Sequence, residues 1–391
     1  MNYDFVKTED QLGHLCRRLE TARTIAFDTE FVSEFTYYPD LCLVQLASDD
    51  VLAVVDTREV DVRSLWQFLA AGDHDLVVHA GREEYRFLRR ATDMIPPHWF
   101  DIQIAAGMVG LDYPASYGKI LQRLLGEKLR KGETRTDWRK RPLSEAQVEY
   151  AVQDVIHLIP LRDKLHSQLE TMGRLEWFQG EMESWRQRTE ESESRSRWRR
   201  VNGTAGLSRR SLMVVKELWH WREEKARQRD CLSRRVLRDD LIVELARRAR
   251  PGVSQIRAVR GLQRRDLQKH LPDLSACIDR ALSQPVDQSV KPTRSELPPQ
   301  IGILAQFLNT ALTSMCHRAS ISPGIVGTVQ DVRDLIAYEL KLFEKDDEIE
   351  PPTLTDGWRG DLVGRKLVDL LSGKLALRLT DPLSDQPLTF E

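Results

Sequence analysis

Acidic and phenolic side chains in two short segments are the residues best suited to chemistry in this chain. Asp28 and Glu30 follow the apolar run Ile25–Phe27, and the two-residue period of a strand places both carboxylates on one face. Tyr150 and Asp154 are four residues apart in an apolar stretch, so the phenol and the carboxylate share one side of a helix. A carboxylate in such surroundings needs a partner or a metal ion.

The composition of this set favours a metal site. Converging carboxylates without cysteine or histidine ligands select hard divalent cations such as Mg²⁺ or Mn²⁺. Two such ions about 3.5–4 Å apart activate a water molecule and stabilise the leaving oxygen of an in-line phosphoryl displacement. Tyr150 would orient that water or help to deprotonate it. The predicted chemistry is hydrolysis of a phosphodiester bond.

Alternating strand and helix patterns in the first 175 residues must position these groups. Strands are predicted over 3–6, 24–29, 41–47, 51–55 and 75–79, and helices from Thr8 and over 61–71, 83–90, 101–110 and 117–125. Ser144-Glu-Ala-Gln147 is a capping-box pattern and predicts one long helix to about Met172 that carries Tyr150 and Asp154. The order of elements predicts an α/β domain with a mixed sheet flanked by helices.

The charge is distributed unevenly along the chain. The net charge is −2 over 391 residues, but residues 195–270 hold 22 Lys/Arg and 8 Asp/Glu. From Ser208 to about residue 374 the patterns are those of amphipathic helices, and the tail over 377–391 has strand-like ends. A basic helical region beside an acidic one predicts a polyanion held by the first and worked on by the second, and a solvated arginine-rich helix face is the alternative. The candidates for contacts with backbone phosphates are Arg234, Arg235, Arg247 and Arg248.

Composition excludes several classes of protein. No apolar run approaches the ~20 residues that span a bilayer, and the first residues lack the pattern of a signal peptide. Five cysteines are scattered singly, which argues against a zinc knuckle or a disulfide scaffold. The sequence contains no phosphate-binding G-x-x-x-x-G-K-[ST] loop. We therefore expect a cytoplasmic protein with no membrane partner and no nucleotide cofactor.

The order of the motifs resembles that of the ribonuclease D family. The matching residues are Phe27–Phe31 with Tyr37-Tyr38-Pro39 and Gln45, then His79-Ala80-Gly81, then Arg135–Trp138, Arg141–Ser144 and Tyr150–Asp154. The resemblance implies an RNase H-like 3′→5′ exonuclease fold with a tyrosine in the third motif. It also implies that Asp28, Glu30 and Asp154 are metal ligands and that Tyr150 positions the water.

The rest of the chain resembles the C-terminal modules of helicases and ribonuclease D, called HRDC modules. The basic region matches one copy, and the region around 300–374 matches a second copy more weakly. The predicted organisation is an exonuclease domain over 1–180, a basic HRDC domain over 205–285, a second all-α HRDC-like bundle over 297–375, and a tail over 376–391.

Glu84 departs from the family pattern, which has an aspartate five residues after the histidine of the second motif. Glutamate keeps the charge but extends the reach by roughly 1.5 Å, more than the ~0.5 Å that productive geometry tolerates. We expect Glu84 to be the fourth catalytic acid and metal ligand. The alternative is a catalytically impaired RNA-binding protein.

Further side chains are predicted to contact substrate. They are Gln45, His79, Asp101, Trp138 and Arg141. An arginine beside the cleft suits a phosphate and a tryptophan suits a stacked base, whereas the alternative for Trp138 and Arg141 is a loop packed on the catalytic helix. For His79 a structural role is one alternative and a role as metal ligand is the other. For Gln45 the alternative is a hydrogen bond to the surroundings of the sheet.

The function expected from these features is metal-dependent 3′→5′ exoribonuclease activity that releases nucleoside 5′-monophosphates. The resemblance implies maturation of tRNA 3′ ends, with tRNA precursors as partners and two divalent ions as cofactors. The same chemistry on single-stranded DNA remains open, because the choice depends on contacts with the 2′-hydroxyl. The sequence does not indicate whether the protein is a monomer or an oligomer.

Overall fold

The computed structural model describes residues 2–129, 136–194, 197–287, 298–342 and 351–391. These residues form two compact units. The first, here called the sheet unit, comprises Met1–Glu30, Cys42–Arg186 and Leu297–Glu391; the second, the helical unit, comprises Phe31–Leu41 and Gln187–Glu296. Arg135 of the third motif and the first residue of the predicted 297–375 bundle lie outside the described residues.

A mixed sheet of six strands, in the order β1-β4-β3-β2-β5-β6, forms the centre of the sheet unit. The strands are β1 (Asp4–Val6), β2 (Thr24–Val32), β3 (Asp40–Ala47), β4 (Leu52–Asp56), β5 (Asp75–Val78) and β6 (Trp99–Asp101). Strand β2 pairs in parallel with β5, and β5 with β6, whereas β3 and β4 are antiparallel. The sequence analysis missed β6, whose last residue, Asp101, it placed at the start of the helix over 101–110. Asp28 and Glu30 therefore lie on a central strand.

Helices accompany this sheet, most of them where the sequence predicts a helix, and the helix over Leu175–Ser194 is one that the sequence analysis did not predict. They are α1 (Glu9–Leu19), α2 (Arg63–Ala71), α3 (Arg82–Thr92), α4 (Ile102–Met108), α5 (Tyr117–Leu125), α6 (Glu145–Ile156), α7 (Leu158–Thr171) and α8 (Leu175–Ser194). Both predicted capping boxes are present, at Thr8 with Gln11 and at Ser144 with Gln147. The mixed α/β fold is confirmed.

The single long helix predicted from Ser144 to Met172 is wrong. The chain instead forms α6 and α7, with His157 between them. Pro160 lies in the first turn of α7, has no N–H to donate to the carbonyl four residues earlier, and its ring clashes with that carbonyl. The break ends α6 two residues after Asp154.

Most of the described residues of the helical unit lie in α-helices. After a 3₁₀ turn at Arg197–Arg200 it contains α9 (Arg209–Gln228), α10 (Ser233–Val236), α11 (Asp239–Arg248), α12 (Val253–Arg257), α13 (Arg265–Gln268) and α14 (Leu271–Ser283). Its core gathers apolar side chains such as Leu218, Trp221, Leu241, Leu245 and Ile278. The amphipathic pattern that predicted this bundle is confirmed.

The C-terminal helices belong to the sheet unit. They are α15 (Pro299–Arg318), α16 (Pro323–Val326), α17 (Val329–Glu339), α18 (Gly357–Arg359) and α19 (Arg365–Leu371), with a 3₁₀ turn at Thr353–Thr355, a π-helical turn at Gly360–Gly364 and a hairpin of β7 (Leu377–Leu379) and β8 (Leu388–Phe390). Leu308, Leu312 and Ile325 belong to the same apolar cluster as Ala26 and Met108. The region predicted as a separate bundle therefore shares its core with the sheet.

Buried charges fasten this junction. Arg174, which is 8% exposed, donates from Nη1 to the carbonyls of Met108 at 2.6 Å and Ser320 at 2.9 Å. Arg359 donates to the carbonyl of Val326 at 2.8 Å and pairs with Glu181 at 2.7 Å.

Among the described residues, no helix is long and apolar enough to cross a membrane.

Candidate active site

Asp28, Glu30 and Asp154 converge at the centre of the sheet unit. Each contributes a carboxylate oxygen, and these oxygens lie within 4.8 Å of one another. Strand β2 presents the first two on one face through its two-residue period, and α6, fixed at its start by the Ser144 capping box, presents the third. The structure thus brings together three of the four acids that the sequence singled out.

The electrostatics of this cluster are those of like charges held out of water. Burial, followed by the charge of Asp154, raises the pKa of Asp28 to about 8. Burial raises the pKa of Glu30 to about 9, with further contributions from Asp28, Asp154 and Glu84. Burial also raises the pKa of Asp154, to about 7. Three ionised carboxylates at this spacing require a positive partner.

The donor set fits a divalent cation. It consists of carboxylate oxygens alone, which are the ligands that Mg²⁺ and Mn²⁺ prefer. Their spacing allows one ion to contact more than one of them, and their mutual repulsion disappears when a cation replaces the shared protons. Among the described residues, this cluster is the place where a divalent ion would bind.

A pH dependence follows from the raised pKa values in the absence of metal. Unfolded carboxyl groups lose their protons near pH 4, whereas folded Asp28 and Glu30 keep theirs to about pH 8 and 9. The folded state therefore binds more protons in this window, and the free energy of unfolding must fall as the pH rises through it. We expect the melting temperature in EDTA to fall from pH 5 to pH 8 (roughly the window bounded by the two sets of pKa values).

Glu30→Gln supplies the control for this dependence. The variant removes one of the titrating groups, so its melting temperature should fall less steeply with pH than that of the wild type. Added Mn²⁺ should raise the wild-type melting temperature more at the higher pH, because binding displaces protons. Equal slopes for the two proteins would contradict the assignment.

Glu84 lies beside this cluster and is hydrogen-bonded to Thr29 of strand β2. It is 5% exposed on α3, and its Oε1 accepts a hydrogen bond of 2.5 Å from the hydroxyl of Thr29. Burial and then the charge of Asp28 raise the pKa of Glu84 to about 8. Its carboxylate is not among the three that share the 4.8 Å cluster in the described chain. A role as fourth ligand stays a prediction.

The turn before α3 depends on Asp101. Its carboxylate accepts hydrogen bonds from the backbone N–H groups of Ala80 and Gly81, each at 3.0 Å, and of Gln103 at 2.8 Å. Ala80 has a φ of 54°, a left-handed conformation that such bonds stabilise. Asp101 is 1% exposed. Its position therefore does not support the predicted substrate contact; it fixes the turn from which Glu84 is placed.

His79 has the structural surroundings that were its alternative. Burial lowers the pKa of this imidazole, and Nε2 lies 3.0 Å from the carbonyl oxygen of Ala115, to which it can donate. The amide of Gln103 donates to the same carbonyl at 2.9 Å. His79 thus ties the second motif to the loop before α5.

Tyr150 has the position predicted for it, beside Asp154. The two side chains share a hydrogen bond, and burial followed by the charge of Asp154 raises the pKa of the phenol. The phenol therefore stays protonated and orients a neighbour through its hydrogen bonds. Its ring centre lies 6.1 Å from that of Trp138. Because Trp138 is 5% exposed, it supports Tyr150 and offers no face to a base, which corrects the stacking prediction.

Arg141 is occupied within the protein. Nε and Nη2 donate to the fully buried carboxylate of Asp56 at 2.6 and 2.5 Å, Nη1 donates to the carbonyl of Trp138 at 2.7 Å, and Nη2 also donates to that of Cys42 at 3.2 Å. This bidentate pair joins the third motif to strands β3 and β4. The predicted phosphate contact is not supported by this geometry.

Gln45 is fully buried on β3, and neither end of its amide has a hydrogen-bond partner among the described protein groups. A direct substrate contact is therefore not supported. Replacing the amide with the similar side chain of methionine removes a buried unpaired polar group, and we expect Gln45→Met to raise the free energy of unfolding by about 1–3 kcal/mol.

Gln147→Met is the matched control, measured by urea denaturation. Gln147 is also buried, but its amide is bonded to Thr136 at 2.9 Å and to the N–H of Ser144 at 2.9 Å. Its replacement should lower the free energy of unfolding. If Gln45→Met were destabilising to the same degree, Gln45 would have a partner such as an ordered water.

The structure also adds residues that the sequence analysis missed. Thr29 and Asp56 hold Glu84 and Arg141 in place. Tyr117 lies close enough for the charges of Asp154 and Asp28 to raise its pKa, after burial. Thr29 could have been noticed between the two acids, whereas no local pattern distinguishes Asp56 or Tyr117.

The arginines predicted to contact phosphates lie on the helical unit. Arg234 and Arg235 are exposed on α10, and Arg247 and Arg248 are exposed at the end of α11. Arg247 and Arg248 line a cavity of about 390 Å³ together with Arg250. Their contacts with nucleic acid stay a prediction.

Comparison with known proteins gives a consistent result. Residues 3–170 match the family of 3′-5′ exonucleases, and residues 211–278 match the HRDC domain. Ribonuclease D of Cronobacter turicensis is 30% identical over 377 residues, covering 94% of this chain and 99% of the relative. Ribonuclease D of Zymomonas mobilis is 31% identical over 380 residues, covering 93% of each.

Solved structures agree with these matches. The crystal structure of Escherichia coli RNase D, described as an exoribonuclease involved in structured RNA processing, superposes with a TM-score of 0.79 and 28% identity over 95% of this chain and 99% of that one. A protein from Bifidobacterium adolescentis shares the fold, with a TM-score of 0.64 and 22% identity over 95% of this chain and 97% of that one.

Proposed function

Because the chain belongs to the ribonuclease D family, we propose that it trims the 3′ ends of tRNA precursors with two divalent ions, Mg²⁺ or Mn²⁺. The chain is a 3′-5′ exoribonuclease of a metal-dependent family. RNA is its substrate class, and tRNA precursors are the finer assignment proposed here. The free cysteines, three of them buried, support action in the reducing cytoplasm.

One observation carries the assignment of the site. Half-buried carboxylates of Asp28, Glu30 and Asp154 lie within 4.8 Å of one another, two on a central strand and one on helix α6. Divalent ions bound there would supply an activated water and stabilise charge on the leaving oxygen. The side chains of Asp28, Glu30 and Asp154 would hold the ions at the position where the scissile phosphate binds.

Tyr150 has a defined part in this proposal. Its phenol remains protonated because burial and neighbouring carboxylates raise its pKa. The phenol donates a hydrogen bond to Asp154, so its oxygen can accept a hydrogen bond from the attacking water. This favours orientation of the water over its deprotonation by Tyr150.

The test is release of mononucleotides from RNA labelled at either end. With Mg²⁺ or Mn²⁺, label at the 3′ end should appear at once as nucleoside 5′-monophosphate, whereas 5′ label should shorten stepwise. A matched DNA oligonucleotide in the same assay decides between the two substrates, since the difference rests on the 2′-hydroxyl. No release by the wild-type protein, or faster digestion of DNA, would count against the proposal.

The impaired-enzyme alternative rests on Glu84, and one substitution separates the two. Glu84→Asp shortens the side chain by roughly 1.5 Å and breaks its bond to Thr29. We propose that the site is built around glutamate, so the variant should turn over RNA more slowly and bind Mn²⁺ more weakly in calorimetry. A large gain in rate would instead identify a site crippled by Glu84.

A further inference from the structure

The segment that follows the catalytic strand folds with the helical unit. Phe31–Leu41, which begins with the last residues of β2 and ends at the start of β3, clusters with Gln187–Glu296. Glu30 is the residue immediately before this segment. The chain itself therefore joins a proposed metal ligand to a loop that the HRDC-containing unit holds.

Tyr37 anchors this loop on helix α9 and the turn after it. Its backbone N–H donates to the carboxylate of Asp230 at 3.1 Å, and its phenol shares hydrogen bonds with Arg227 and Glu223. The guanidinium of Arg227 also lies 5.6 Å from the ring centre. Glu223 is fixed in turn by Ser233, which donates to it at 2.8 Å. The loop is built onto the bundle by several polar contacts.

The anchored loop presents two aromatic rings to solvent. Phe35 is 45% exposed and Tyr38 is 39% exposed. Phenylalanine is among the residue types most often fully buried and tyrosine is intermediate, so two exposed rings within four residues form an unusual surface. The ring of Tyr38 meets that of Tyr37 edge to face at 4.9 Å between centres, so the anchor also orients an exposed ring.

Cations border these rings. The guanidinium of Arg235 lies 5.9 Å from the ring centre of Phe35, and Arg234 is exposed beside it on α10. Exposed aromatic faces next to arginines are the chemistry of single-stranded nucleic acid recognition, in which bases stack on rings and phosphates meet cations. Such recognition tolerates any sequence, because every base has a stacking face.

We propose that Phe35, Tyr38, Arg234 and Arg235 form a subsite for unpaired nucleotides of the RNA substrate, which we call the loop subsite. The inference rests on the proposed function, since it assigns where the substrate strand is held.

Binding of labelled single-stranded RNA to the full chain in EDTA tests this assignment without hydrolysis, by fluorescence anisotropy. Loss of one stacked base weakens binding by roughly 5- to 150-fold, so Phe35→Ala and Tyr38→Ala should each raise Kd within that range. Phe35→Tyr keeps a ring and should restore affinity. Arg235→Gln should reduce the slope of log K against log salt by about 0.7, the value for one phosphate of a single strand.

Phe307→Ala is the matched control, because Phe307 is 43% exposed on α15 and lies outside the loop subsite. It should bind RNA like the wild type, and melting temperatures should show that all variants fold. Wild-type affinity in both alanine variants of the loop, or an equal loss in Phe307→Ala, would overturn the proposal. Failure of the wild type to release mononucleotides would count against the proposed function alone, since binding is read separately.

Discussion

Asp154→Asn should reduce mononucleotide release by about 10³-fold or more, the equivalent of the several kcal/mol that metal-ion catalysis contributes. The substitution keeps the size of the side chain but removes a charge from the cluster formed with Asp28 and Glu30. It also weakens the partner of Tyr150, because a neutral amide is a poorer acceptor than a carboxylate. Single-turnover kinetics with labelled RNA measure the effect.

The same substitution should not destabilise the metal-free protein. Burial holds the pKa of Asp154 at about 7, so its ionisation near neutral pH opposes folding, and the amide relieves this. Asp163→Asn is the matched control, since Asp163 lies on α7 with 60% of its side chain exposed. Wild-type turnover by Asp154→Asn, or an equal loss in the control, would contradict the proposed site.

A chain that ends at Asp287 should fail to fold its sheet unit. The truncation removes Leu308, Leu312 and Ile325 from the apolar cluster that they share with Met108. It also leaves Arg174 without its carbonyl partners on Ala319 and Ser320. A domain is stable by only about 5–15 kcal/mol, so loss of this shared core should abolish the cooperative melting transition of the sheet unit. Tryptophan fluorescence measures this transition.

Arg174→Met probes the same junction in the full chain. It leaves buried carbonyl oxygens unpaired, and bonds from charged donors are worth about 1.5–3 kcal/mol each, so the free energy of unfolding should drop by several kcal/mol. Arg378→Met is the control, because Arg378 pairs with Glu391 at an exposed site and such pairs contribute about 0–1 kcal/mol.

For the truncation experiment, a native melting curve of the chain that ends at Asp287 would contradict the prediction. It would show that the C-terminal helices form an independent domain.

Local signals carried the parts of the fold that the sequence predicted. The apolar run Ile25–Phe27 predicted β2 and therefore the shared face of Asp28 and Glu30. A capping box fixed the start of α6 and therefore the positions of Tyr150 and Asp154. Each of these features depends on neighbours within a few residues, so the sequence alone contains them.

The features that the sequence did not predict depend on distant partners. Arg141 and Asp56 are 85 residues apart, and Arg174 reaches carbonyls 145 and 146 residues away. No spacing rule connects such pairs, so Arg141 was interpreted as a phosphate contact and 297–375 as a separate bundle. Asp101 was predicted to contact substrate for the same reason, since its backbone partners follow from the fold around β6 and α3.

The central claim is that Asp28, Glu30 and Asp154 hold paired divalent cations. Anomalous X-ray diffraction from a crystal of the full chain soaked in Mn²⁺ tests it directly. We predict two manganese peaks in contact with these carboxylates. A single peak elsewhere in the molecule, or none at this cluster at saturating Mn²⁺, would contradict the claim.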